Sequence, residues 1–206
     1  SLALGTAAAA SEVTELSNGL TVTMYGADEI RTNSNVCNIS LAAAQSNYVP
    51  FDNAEVLNAL ADMNGFEIDL AVNVYLLPAP AAVVNSSFAR GNNIYLAPGT
   101  GTIPASTQAY ITTHEMGHVL TAVYMDNSTS RWDSYMELRG LTGELNGPSA
   151  PHADRAREIV AEDFRFLFGG SLATITGSIE NHYLALPNQV DGLKELMLEF
   201  LAEKAL

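Results

Sequence analysis

TTHEMGHVL, residues 112–120, places two of the chain's four histidines four residues apart, with a glutamate directly after the first. The flanking stretch, residues 104–127, predicts a long helix, with Pro104 near its start and Asp126-Asn127 ending it. Ile111, Val119, Ala122 and Val123 are its expected buried side. On a helix, residues i and i+4 stand one turn apart on one face, so His114 and His118 can converge on a single ion. Zinc accepts neutral imidazole nitrogens, and a catalytic zinc site uses three protein ligands while leaving one position for water. Glu115 sits beside the first histidine, where its carboxylate can reach that water as a base without binding the metal. This is the helix-borne H-E-x-x-H arrangement, and it outweighs a chance pairing because histidine is scarce in the chain.

A third ligand decides what kind of site this is. The extended pattern H-E-x-x-H-x-x-G-x-x-H is excluded, because Thr121 and Tyr124 stand where its Gly and third His belong. A carboxylate from a later helix remains. RAREIVAEDFRFLFGG (155–170) predicts that helix, stopped by a glycine pair, and it offers Glu158 and Glu162 one turn apart. Its spacing alone leaves both open.

His114-Glu115-Met116-Gly117-His118, followed about forty residues later by Glu158-Ile159-Val160-Ala161-Glu162-Asp163-Phe164, resembles the gluzincin metallopeptidases. The likeness is to the branch of anthrax lethal factor and the secreted Pro-Pro endopeptidases, with H-E-x-G-H and then E-F-F-A-E. It covers roughly residues 92–170. The resemblance implies a zincin-like fold, a single zinc ion, and hydrolysis of a peptide or protein substrate. It implies Glu158 as the zinc ligand and Glu162 as the acceptor that fixes a ligand histidine's tautomer. It also implies a peptide adding to the open edge of the sheet above the helix, for which NNIYLA (92–97) is the expected strand. The branch carries a tyrosine seven residues before the ligand Glu, where this chain has Pro151; His152 and Tyr135 are the candidates to polarise the scissile carbonyl instead. That departure leaves an alternative, an exported zinc-binding protein without turnover on the same scaffold.

The remaining stretches frame this site. LSNGLTVTMYG (16–26) alternates after an Asn-Gly turn; FEIDLAVNVYLLPAP (66–80) predicts a strand, and DNAEVLNALADMNG (52–65) a capped helix. A short helix is expected around Trp132–Arg139, with Trp132 and Tyr135 on its packed face, and another closes the chain. Strands first and helices later predict an α+β domain over residues 11–206, α/β to about 127 and helical from 128. The chain has nine basic and twenty-three acidic residues, a net charge of −14, which opposes binding to nucleic acid or anionic lipid. No apolar run is long enough to span a membrane. Its one cysteine, Cys37, excludes an internal disulfide and predicts a small buried hydrophobe. The apolar opening SLALGTAAAA (1–10) resembles the tail of an export signal or a ragged mature start. With its few lysines, it leads to the expectation of a secreted or periplasmic bacterial protein. His182 is expected to be structural, and Arg131, Arg139 and Arg155 carry no assigned role.

Overall fold

The computed structural model describes residues 11–202, so the expectation for residues 1–10 lies outside it. The chain forms strands β1 (Glu12–Glu15) and β2 (Leu20–Tyr25), helices α1 (Ala27–Thr32) and α2 (Asn53–Ala61), and strands β3 (Leu70–Leu76), β4 (Phe88–Arg90) and β5 (Asn93–Leu96). Helices α3 (Ala105–Tyr124), α4 (Thr129–Arg139), α5 (Ala156–Phe168) and α6 (Leu193–Ala202) follow. The expected Asp52 cap is present: its carboxylate accepts the backbone N–H groups of Ala54 and Glu55 at the start of α2.

The five strands form one mixed sheet in the order β1-β2-β3-β5-β4. β2, β3 and β5 run parallel, and the two edge strands pair antiparallel. Side chains alternate between two faces, as the pleat requires. Val22, Met24, Val72, Val74, Ile94 and Leu96 point into the main core with α3 and α5. The opposite face carries Tyr25, Tyr75, Tyr95 and Phe88, which the register sets side by side. Their rings stack at centroid spacings of 4.7, 4.8 and 4.7 Å, the spacing between the strands themselves. Cys37 is fully buried in this second cluster, as its sequence setting predicts.

Two expectations do not hold. β5 was the expected open edge, but it pairs on both sides, with β3 and with β4. The free edge is β4, joined to β5 by the two-residue turn Gly91-Asn92, in which Gly91 takes a φ of 58° that suits glycine. A three-residue strand is too short to show alternation, so the sequence pattern does not reveal it. Second, α3 has no single apolar side. It is buried from Thr112 to Gly117, polar residues included, because the sheet, α2 and α5 cover it; Ile111, Ala122 and Val123 are only half-buried. Among the described residues no helix is long and apolar enough to cross a membrane.

Candidate active site

α3 and α5 meet at Gly117. A Cβ there would stand 2.6 Å from the carbonyl oxygen of Ala161 and 2.8 Å from its Cα, so only a hydrogen fits. This close approach sets the His114/His118 face opposite Glu158 and Glu162. Glu158 Oε2 lies 3.0 Å from His118 Nε2 and 3.4 Å from His114 Nε2. One ligand atom from each of His114, His118 and Glu158 falls within 4.8 Å of the other two. Around a zinc ion with bonds of about 2.0–2.2 Å, tetrahedral geometry puts neighbouring ligand atoms roughly 3.3–3.6 Å apart. Donor types and spacing both fit that ion after small side-chain adjustments.

Glu162 is committed elsewhere. Its Oε1 accepts His114 Nδ1–H at 2.8 Å and Arg165 Nε–H at 2.8 Å. Its Oε2 accepts the Tyr110 hydroxyl at 2.9 Å, an Arg165 Nη2–H at 2.9 Å and the backbone N–H of Glu180 at 3.0 Å. Burial would raise this carboxyl, but the bonded Arg165 and His114 hold it down at about 2. A permanent carboxylate at Nδ1 fixes the histidine's tautomer and leaves Nε2 to face Glu158. Burial likewise opposes charge on His114, yet hydrogen bonds with Glu158 and Glu162 drive its pKa up to about 10. The pair of carboxylates thus makes a strong cation well.

Glu115 faces the same cleft and is only 5% exposed. Its Oε2 has no hydrogen-bond partner among the described residues, and burial raises its carboxyl. A buried acceptor without a donor is costly unless something occupies it in use. The cleft itself holds about 930 Å³ and runs along α3 under β4 and the Pro98-Gly99 turn. Tyr110, His114, His118, Ala122 and Asp126, each four residues apart, form its floor.

His152 stands at the mouth. Its Nε2 is 3.6 Å from Glu158 Oε2 and its Nδ1 3.4 Å from Glu180 Oε2, with a side chain 60% exposed. Tyr135 is a correction. It is fully buried on α4, donates its hydroxyl to Asp163 Oδ2 at 2.7 Å, and does not line the cleft. Arg139 closes the same cluster with two bonds to Asp163, at 2.8 and 2.9 Å. A carboxylate buried without charge partners is costly, so Tyr135 and Arg139 serve α5 packing rather than the cleft. Trp132 packs edge-on against Tyr135 as expected, and His182 is exposed away from the cleft.

Two residues at the site escaped sequence reasoning. Tyr110 was within reach of it, one helical turn before His114. Glu180 sits in a loop with no periodic signal and arrives because its backbone N–H binds Glu162. No family model, no curated protein and no solved structure matches this chain.

Proposed function

We propose that the chain is a zinc-dependent endopeptidase of gluzincin type, with a zincin-like catalytic domain that acts outside the bacterial cytoplasm. One observation carries the reading: His114, His118 and Glu158 converge within 4.8 Å on the floor of a long cleft, beside a buried and unpartnered Glu115 oxygen. His114, His118 and Glu158 hold the zinc. Bound there, zinc supplies Lewis acidity that polarises a carbonyl and makes water a nucleophile near neutral pH.

The chain's own residues do the rest. Glu115, its basicity raised by burial, takes a proton from water and returns it to the leaving amine. Glu162 keeps the His114 ring in place, and Arg165 and Tyr110 keep Glu162 ionised. His152, at the cleft mouth, donates its Nε2–H toward the carbonyl oxygen as negative charge develops. A peptide in extended form pairs with β4. The Arg90–Asn93 pair closes the hairpin and is hydrogen-bonded, so Ala89 turns its N–H and C=O to the open edge.

A second reading, a zinc-holding protein without turnover, draws on Pro151 in place of the branch's tyrosine and on the burial of Tyr135. Incubating the purified protein with an unbiased peptide mixture, with and without chelator, separates the two. Chelator-sensitive cleavage supports the peptidase; one bound zinc with no cleavage supports the second reading and removes the first.

A further inference from the structure

Seven arginines and two lysines stand against twenty-three acidic residues. Arg131, Arg139 and Arg165 are buried, and Arg31 pairs with Asp28 on α1. Lys194 lies over the Phe168 ring, and Lys204 is outside the described residues. The three remaining cations, Arg90, Arg155 and Arg157, all line the cleft.

They also share one end of it. Arg157 pairs with Asp126, Glu158 meets His118, and Glu162 meets Tyr110, so α5 runs antiparallel to α3 and starts at the α3 C-terminus. β5 leads through Pro98 to Ile103 at the α3 N-terminus, which places the β4–β5 hairpin, and Arg90, toward the other end. Phe51, Pro98 and Ile103 line the cleft by the start of α3, away from the arginines, which share their end with Asp126 and Glu158. Among the described residues the Arg90 guanidinium makes no hydrogen bond or ion pair, and Arg155 uses only Nε, on the carbonyl of Ala150 at 2.9 Å. In a chain of net charge −14 such cations do not attract polyanions at long range; they reward a single carboxylate seated among them.

We propose that the Arg90, Arg155 and Arg157 end of the cleft binds a carboxylate of the substrate, making the protein selective for acidic peptides. The selectivity rests on the peptidase reading only in that the ligand is a peptide. The carboxylate belongs either to an Asp or Glu side chain or to a chain terminus.

Fluorescent decapeptide libraries test this, with one fixed position as Glu or Gln and the C-terminus as acid or amide. Binding is measured by anisotropy on zinc-loaded E115Q protein, and cleavage on the unaltered protein. Acidic peptides should bind about tenfold tighter than their neutral counterparts, the effect of one charge-assisted hydrogen bond. R90Q/R157Q should bring that ratio close to one, R90Q alone should lower it, and R31Q should leave it. A preference that follows the free C-terminus assigns the carboxylate to a chain end. Equal binding of Glu and Gln, acid and amide peptides, or a ratio unmoved in the folded R90Q variant, overturns the proposal. Charge-selective binding without cleavage keeps it and removes the peptidase reading; cleavage without charge selectivity does the reverse.

Discussion

Glu115 and Glu158 lie on facing helices, and their surroundings drive their carboxyls apart. Burial raises Glu115. Burial would raise Glu158 as well, but hydrogen bonds from His114 and His118 hold it below the usual carboxylate range. One is thereby suited to accept a proton and the other to stay ionised beside a cation, a division of labour set by environment alone. E115Q should therefore keep about one zinc per chain, yet lose at least about a hundredfold in turnover; elemental analysis beside a peptide-cleavage assay checks both halves. Tyr135 gives the contrasting case. Because its hydroxyl bonds Asp163 inside a buried cluster with Arg139, away from the cleft, Y135F should cost about 1–2 kcal/mol of stability by urea unfolding and leave turnover of the folded protein unchanged. A large drop in turnover would return Tyr135 to the reaction. The histidine and glutamate spacings were legible because helix geometry converts i, i+4 into a shared face. Tyr135 misled because its nearness in sequence to Pro151 says nothing about which side of α5 it packs against.

At the scale of elements, the site depends on how closely α3 and α5 approach. G117A would thrust a methyl into the backbone of Ala161, forcing the helices apart. Overpacking of this kind costs about 1–3 kcal/mol, and the displacement should weaken zinc as well, since the histidines and Glu158 stand on opposite helices. Zinc titration alongside thermal melts checks this, and unchanged affinity in a folded G117A protein would count against the shared-helix origin of the site. The long helices, the Asp52 cap and the Gly169-Gly170 stop could be read in sequence, since periodicity and capping are local. The edge strand could not: β4 is three residues long, and its identity comes from pairing with β5 rather than from its own composition. Nor could the burial of the polar Thr112–Glu115 stretch of α3, which follows from three neighbours that only the tertiary fold assembles.

Across the whole molecule, the cation well ties stability to pH. His114 is raised from 6.5 to about 10, so in metal-free protein its contribution is fully present below about 6.5 and is lost as pH rises through 10. Glu162 is lowered from 4.5 to about 2, so its contribution is present above about 4.5 and is lost as pH falls toward 2. Melting temperatures in chelator should thus peak between roughly pH 4.5 and 6.5. On the proposed reading zinc takes the place of the His114 proton, so the stabilisation it confers should grow as pH rises toward about 10; a zinc effect independent of pH would contradict the exchange. In the proposed centre two imidazoles and Glu158 share one zinc ion. A crystal structure of zinc-loaded protein with anomalous data at the zinc edge tests it most directly. A shared ion gives a single strong peak within about 2.0–2.2 Å of His114 Nε2, His118 Nε2 and a Glu158 oxygen. A peak elsewhere, or one coordinated by Glu162 while Glu158 turns away, would contradict it.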